Sequence, residues 1–253
     1  MVSYNARGEN QLGPGLKKAT ASRATRSQVE APGRADVDVW QLPRGAHKLT
    51  PTTVEASQRG RICFGLVRSV ADKGYAATTI ADVCALAKVS RSTFYKLFGD
   101  KETAYLAAYD VAHQELVDRV VKAQDFKANW NARMRATLTA YLEYNRDNAA
   151  VARALLVEIH AVGAAAWARR DWGHEQFARM QKGLYRLRRH EQPGLPELPH
   201  EVFLAVVAAL EEMVSSHVRH NRTDEMLGLL PRAMFLVEAI YGAGPHAIAE
   251  LNA

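Results

Sequence analysis

The chain has 253 residues, of which 48% are apolar and 24% are charged, and its formal net charge at pH 7 is +6. This is enough apolar sequence to bury a sizeable core in one or two domains. Charges interrupt the long apolar stretches and no signal pattern opens the chain, so we expect a cytoplasmic protein that is neither secreted nor membrane-spanning.

The positive charge is concentrated in the first part of the chain. Residues 1–50 and residues 51–101 each carry eight basic and four acidic side chains, whereas the remainder carries seventeen and nineteen. A basic N-terminal part followed by a mildly acidic part indicates a polyanion-binding end and an end with another task. Random scatter of charge is the alternative interpretation of differences this small.

Residues 1–50 are rich in Gly, Ser, Thr, Pro, Arg and Ala and have too few apolar residues to form a repeating face. This composition predicts a disordered, basic N-terminal extension. Its arginines and lysines would suit an arm that follows DNA or enters a minor groove. An artefact of the assigned start site is the alternative.

Helical periodicity begins directly after this extension. Thr50 is predicted to cap a first helix with Pro51 in its first turn, and Gly74 to end it. Apolar residues recur inside it at Ile62, Leu66 and Val70. Nearly every later segment has helical periodicity and few have strand signals, so the predicted fold is all-α.

A helix-turn-helix is predicted at residues 79–98. Thr78 is the expected cap of the second helix, which presents Ile80, Val83 and Cys84 inward. Ser90 is the expected cap of a third helix that runs from Arg91 to Leu97. A helix this short depends on packing against its neighbours. Cys63 and Cys84, the two cysteines, are predicted to be buried thiols.

The third helix has two chemically different faces. Phe94 and Phe98 share a face with Val89 and can anchor the helix to the first two. The outer side carries donors and cations that suit the DNA major groove, although a merely solvated helix face is the alternative. These outer residues are Arg91, Ser92, Thr93, Tyr95 and Lys96.

The segment "ADKGYAATTIADVCALAKVSRSTFYKLFGDKETAYLAAYD" resembles the DNA-binding domain of the tetracycline-repressor-like (TetR) transcriptional regulators. The resemblance covers residues 56–116 and includes the glycine-aromatic helix entry, the helix-turn-helix, the F-Y-x-x-F recognition helix and the Asp-Lys-Glu entry to a fourth helix. It implies a two-domain, all-α homodimer that binds a palindromic operator on double-stranded DNA, usually as a repressor. A small-molecule effector would enter the C-terminal domain and release the DNA.

The resemblance also implies roles for individual residues. Thr79 would contact a phosphate, and Arg91, Ser92 and Thr93 would lie near base edges. Tyr95 and Lys96 would contact phosphates or the groove. Lys101, at the start of the fourth helix, would contact a phosphate beside the helix N-terminus. The sequence departs from the family in two respects, with Leu97 where many members have His and with the long N-terminal extension.

Residues 117–253 are predicted to form a helical effector-binding and dimerisation domain. The expected helices lie at about 126–146, 148–162, 164–190, 200–220 and 224–242. The fourth helix, at about 101–123, bridges the two domains. Pro231 is expected to kink the last helix.

Large apolar and amphipathic side chains in the middle helices are the candidates for an effector pocket. They are Trp130, Met134, Trp167, Trp172 and Phe177. For each of them an ordinary place in the core is the alternative. The helices of residues 200–242 are apolar over more than one face, which predicts a homodimer through a four-helix bundle.

No nucleophile, base or metal constellation is evident, so we expect neither an enzyme nor a cofactor. His217 and His220 are three residues apart, but no further ligand at suitable spacing completes a metal site. A protein-interaction module whose helix-turn-helix-like domain no longer binds DNA is the rival function. The sequence leaves open the effector, the operator, and whether the protein represses or activates.

Overall fold

The computed structural model describes residues 51–242, and every regular element in that range is helical. The prediction of an all-α fold is therefore confirmed. The expected extension at residues 1–50 and the expected cap at Thr50 lie outside the described residues. Within the described range, no helix combines the length and apolarity needed to cross a membrane.

The described residues form a succession of helices joined by short connections. An irregular stretch follows α6, with a π-helical turn at Arg153–Val157 and a 3-10 turn at Glu158–Ala161. A second 3-10 segment, Thr223–Leu229, precedes the last helix. The helices are α1 (Pro51–Lys73), α2 (Ile80–Ala87), α3 (Arg91–Phe98), α4 (Lys101–Lys122), α5 (Trp130–Asp147), α6 (Ala149–Ala152), α7 (Ala164–Glu191), α8 (His200–Arg219) and α9 (Leu230–Gly242).

The first three helices and the start of α4 enclose a common apolar core. α1 and α2 approach closely at Gly65, where a Cβ atom would lie 2.9 Å from the carbonyl oxygen of Val83 and 3.0 Å from the amide nitrogen of Ala87. Only glycine permits this separation without a shift of backbone. The core is formed by the predicted stripe, including Ile62, Leu66, Val70, Val83, Phe94 and Phe98, together with Tyr105 of α4.

A second apolar core lies among α5, α7, α8 and α9. Its largest members are Trp130, Met134, Tyr185, Phe203 and Tyr241. α4 runs as a single helix from the first core toward the second half of the chain, as expected. The boundary placed between residues 116 and 117 therefore falls within a continuous helix and stays a prediction.

Two local predictions about helix ends are wrong. α2 is capped by Thr79 and not by Thr78, whose hydroxyl instead donates to the carbonyl oxygen of Gly74 at 2.8 Å. Pro231 does not kink the last helix, because the 3-10 segment ends at Leu229 and α9 begins at Leu230. Pro231 thus lies in the first turn of α9, where a missing N–H costs no helical hydrogen bond.

Candidate functional site

The turn between α2 and α3 is shaped by the caps of both helices. Thr79 and Asp82 form a capping box at the start of α2. Lys88 adopts a left-handed conformation (φ 53°) after α2. At the start of α3, the side chain of Ser90 accepts a hydrogen bond from the backbone amide of Thr93. These local bonds satisfy helix-end groups and so fix where α3 begins.

One face of α3 is fully packed against the bundle. Phe94 has 0% of its surface exposed, and Leu97 and Phe98 are also buried. Arg59 of α1 donates to the carbonyl oxygen of Leu97 at 2.7 Å, and its guanidinium lies 4.3 Å from the centroid of the Phe98 ring. No sequence pattern indicated Arg59, which lies 38 residues before Leu97 and holds the C-terminal end of α3.

The structure brings the five candidate residues of α3 together on its outer face. The four exposed members are Arg91, Ser92, Tyr95 and Lys96, and Thr93 is half-buried. The Ser90 hydroxyl lies 2.8 Å from the hydroxyls of both Ser92 and Thr93. Tyr95 is 54% exposed, and its ring packs edge-on against Phe94. This face therefore presents two cations and several hydroxyl groups on a fixed backbone.

Thr79 is exposed at the N-terminus of α2 but is not free to donate to a phosphate in this conformation. Its hydroxyl donates to Asp82 Oδ2 at 2.5 Å, and its amide donates to the same oxygen at 2.8 Å. Lys73 contacts that carboxylate at 2.6 Å. Hydrogen bonds from Lys73 and then Thr79 hold the pKa of Asp82 well below its usual value. The expected phosphate contact would need Thr79 to leave this carboxylate.

Lys101, whose expected phosphate contact stays a prediction, is engaged within the protein in this structure. Its ammonium donates to the carbonyl oxygens of Tyr75 at 2.7 Å and of Thr78 at 2.9 Å, and it lies 4.0 Å from the centroid of the Tyr75 ring. Burial lowers the pKa of this lysine. The side chain therefore stabilises the turn between α1 and α2, and it supports the helix-turn-helix from behind.

A cavity of about 90 Å³ lies between α4, α5, α6, α7 and α8. α4 and α7 are close at its wall, because a Cβ at Gly173 would lie 2.6 Å from the Tyr109 hydroxyl and 3.3 Å from His113. Leucine, valine and tyrosine side chains supply most of the remaining wall. They are Leu116, Val120, Leu138, Tyr141, Tyr144, Val151, Leu155, Leu156, Val207 and Leu210.

The structure does not bring the five candidate effector residues together. Of them, only Phe177 lines the cavity. Trp130 and Met134 are buried in the second core, where the guanidinium of Arg188 lies 3.8 Å from the centroid of the Trp130 ring. Trp167 and Trp172 are 41% and 44% exposed, respectively, and Trp172 reaches the wall only through its contact with His113.

Polar side chains that sequence patterns did not indicate also line this cavity. They include His113 of α4, Gln181 of α7 and Glu211 of α8. Glu211 binds Arg170 and His174 at 2.7 Å each. Glu211 of α8 is far in the sequence from Arg170 and His174 of α7. No local sequence pattern therefore predicts their contact, which only the folded structure shows. In the described part of the chain, no three His, Cys, Asp or Glu side chains are grouped to bind a metal ion.

The helix-turn-helix segment matches a known family. Residues 66–108 match the family model for bacterial regulatory proteins of the tetR family. No curated protein matches the chain significantly.

Solved structures share the fold over most of the chain. The transcriptional regulator FadR from Bacillus subtilis, in complex with stearoyl-CoA, is 13% identical with a TM-score of 0.63 and covers 70% of this chain and 96% of its own. FadR from Bacillus halodurans, a fatty acid degradation regulator, is 14% identical with a TM-score of 0.66, covering 78% and 98%. A bacterial regulatory protein in the tetR family from Rhodococcus RHA1 is 20% identical with a TM-score of 0.57, covering 74% and 98%.

The contacts of Lys101 predict a stability effect that separates it from Lys96. Lys101→Met removes both hydrogen bonds to the turn carbonyls, and we expect the free energy of unfolding to fall by about 2 kcal/mol. Lys96→Met, at an exposed position of α3, should change it by less than about 0.5 kcal/mol. Chemical denaturation followed by circular dichroism measures both. Equal stability of the two variants would contradict the role given to Lys101.

Proposed function

We propose that the chain is a transcription regulator of the tetR family that binds a palindromic operator as a homodimer, represses transcription there and is released by an apolar or amphipathic small molecule. The match of residues 66–108 to the family model supports this assignment. The observation that carries the proposal is the outer face of α3, where Arg91, Tyr95 and Lys96 are exposed together on a helix fixed by Phe94 and Phe98. Such a helix can enter a major groove without reordering its own backbone.

The proposed division of labour on this face follows from side-chain chemistry. Arg91 is at the N-terminal end of α3, the end that reaches base edges in helix-turn-helix proteins. Tyr95 and Lys96 lie one turn further along and suit phosphates. Ser92 and Thr93 can accept or donate one more hydrogen bond each beyond their contacts with Ser90. Lys101 and Thr79 would position these groups rather than contact DNA.

An internal ligand is supported by the cavity and by the nature of the structural neighbours. The cavity wall is largely apolar, and α4 runs from it to the helix-turn-helix. FadR from Bacillus subtilis has the same fold and was solved with stearoyl-CoA, an amphipathic molecule. A ligand can release the operator by favouring a spacing of the two recognition helices that does not fit DNA. A coupling free energy of about 1–3 kcal/mol between ligand binding and operator binding weakens operator affinity roughly 5- to 150-fold.

The irregular segment after α6 offers a second route between cavity and DNA-binding face. Leu155 and Leu156 of the π-helical turn line the cavity. One turn on, Glu158 accepts the backbone amide of Tyr75 at 2.9 Å. Directly before Leu155, the carbonyl oxygen of Ala154 accepts a hydrogen bond from the hydroxyl of Tyr105 at 2.8 Å. A ligand that displaces this segment would therefore act on the turn that Lys101 also contacts.

Operator binding tests the proposed DNA-binding face. Bound duplexes selected from genomic fragments should contain an inverted repeat. In gel-shift titrations, Tyr95→Ala and Lys96→Met should each weaken binding at least about tenfold, since each removes a contact to DNA. Lys96→Met should also reduce the slope of log affinity against log salt by about one, because it removes one phosphate contact.

Lys122→Met, at the opposite end of α4, is the matched control and should bind like the parent. If Tyr95→Ala and Lys96→Met also bind like the parent at every salt concentration, the face does not bind DNA. The rival proposal, a protein-interaction module, would then be favoured.

The proposed homodimer has its clearest support at Phe235 of α9, which is 59% exposed within one chain. Phe235→Glu would place a charge in the interface between two copies, and we expect a monomer at micromolar concentration in sedimentation experiments. Leu210, by contrast, is buried in the second core, so Leu210→Glu should lower stability rather than dissociate a folded dimer.

Phe126→Glu makes the same chemical change at another exposed phenylalanine, outside α8 and α9, and should leave the dimer intact. A monomeric parent, or a Phe235→Glu variant that remains dimeric, would contradict an interface through α8 and α9.

The proposed route through Glu158 predicts a local effect at the turn. Glu158→Ala removes the acceptor of the Tyr75 amide, so we expect hydrogen exchange at that amide to rise by about tenfold and operator affinity to fall several-fold. Glu158→Gln keeps an acceptor oxygen and should behave like the parent. Unchanged exchange in Glu158→Ala would exclude this contact from the route.

A further inference from the structure

Most polar groups of the cavity wall already have partners within the protein. The hydroxyl of Thr137 donates to the carbonyl oxygen of Arg133 at 2.9 Å. The amide group of Asn145 donates to the carbonyl oxygen of Tyr141 at 2.8 Å. The Tyr144 hydroxyl donates to the carbonyl oxygen of Ala112 at 3.1 Å. A bound ligand therefore has no need to satisfy these groups.

Two of the described wall residues hold fully buried polar atoms that lack a partner. His113 Nε2 and Gln181 Oε1 are buried and have no hydrogen-bond partner, and the two side chains are only 8% and 5% exposed. Both residues line the cavity, from α4 and α7 respectively. Buried polar groups in native proteins nearly always have a partner. Because both residues line the cavity, a ligand there is the candidate partner of these two atoms.

The charges at the wall compensate one another. Among the described residues that line the cavity there is no lysine or arginine. Glu211 is the charged member, and the guanidinium of Arg170 neutralises it at 2.7 Å. Burial alone would raise the pKa of Glu211, but the contacts with His174 and Arg170 outweigh it and hold the pKa below its usual value. Burial lowers the pKa of His113, so its imidazole is neutral at pH 7.

We propose that the part of the effector that enters this cavity is uncharged and consists of an apolar body with a hydroxyl or amide group that hydrogen-bonds to Gln181 and His113. This inference rests on the proposed function, because it assigns a chemical class to the effector of that same cavity. A neutral imidazole nitrogen donates or accepts according to its tautomer, and Gln181 Oε1 accepts. A hydroxyl group carries one donor and two acceptor lone pairs, so it matches the hydrogen-bonding type of either atom.

An anionic head group is excluded by the same electrostatics. A carboxylate inside the cavity would lose its hydration without gaining a cation, since Arg170 already contacts Glu211. It would also lie near the ionised Glu211. A neutral alcohol meets neither penalty, and its alkyl chain can pack against Leu116, Leu138 and Leu155.

Calorimetric titration of the full chain with n-octanol and with octanoate tests this directly, because the two probes share a chain length and differ in head-group charge. At neutral pH we expect n-octanol to bind at least about tenfold more tightly. Gln181→Met should reduce n-octanol affinity about fivefold by removing the acceptor. Gln176→Met makes the same change on α7 at a residue outside the cavity wall and should have no effect.

A charge-selective variant gives the complementary measurement. Glu211→Gln leaves Arg170 without its carboxylate, so octanoate should bind several-fold more tightly than to the parent, while n-octanol binding stays within about twofold. Circular dichroism establishes whether this variant is folded. If it is not, the comparison of Gln181→Met with Gln176→Met decides.

Two outcomes would overturn the inference. One is octanoate binding to the parent as tightly as n-octanol, which would show that the wall accepts an anion. The other is binding of neither probe. Operator binding is measured separately by gel shift. If the chain binds DNA but neither probe, only this inference is wrong. If it binds n-octanol but no DNA, only the proposed function is wrong.

Discussion

An eight-residue helix cannot be stable in water by itself, and the arrangement of the whole N-terminal half follows from that constraint on α3. Phe94 and Phe98 supply the burial that makes α3 form, and Ser90 and Arg59 supply the polar contacts at its two ends. Because α3 packs against α1, α2 and α4, it has little freedom to tilt alone. Its outer face therefore moves only when the bundle around it moves.

The turn between α1 and α2 is the place where such a movement would begin. Tyr75 makes polar contacts on both sides of its backbone, since its carbonyl oxygen accepts from Lys101 and its amide donates to Glu158. Lys101 begins α4, and Glu158 follows the π-helical turn. Two of the elements that line the cavity therefore lead to contacts with the same residue, Tyr75. π-helical turns often mark functional positions. These contacts connect the cavity wall to the turn through two separate elements.

Sequence patterns predicted the helices of this fold well because helical periodicity and capping are local. The long-range polar contacts were not predictable in the same way. Lys101 has the charge and the helix-start position that suggest a phosphate contact. Only the folded structure shows that its ammonium group donates to the carbonyl oxygens of Tyr75 and Thr78. Trp130 occupies an apolar helix position that is equally compatible with core and cavity, and Arg188 from α7 decides between them by covering its ring. Pro231 is a first-turn residue because α9 begins at Leu230, later than the expected start at about residue 224.

The ion pair of Glu211 and Arg170 lies at the cavity wall, where it bears on the proposed ligand binding as well as on the stability of the fold. A buried pair generally stabilises a fold little more than well-packed apolar residues would, because desolvation offsets most of the attraction. α7 and α8 also share an apolar core through Ala178, Tyr185 and Phe203, so the pair is not the sole contact between them. What the pair does change is the electrostatic character of the cavity. In the proposed binding mode, the pair leaves Arg170 occupied and no cation of the described wall residues free to neutralise an anionic guest, whereas a neutral guest needs none.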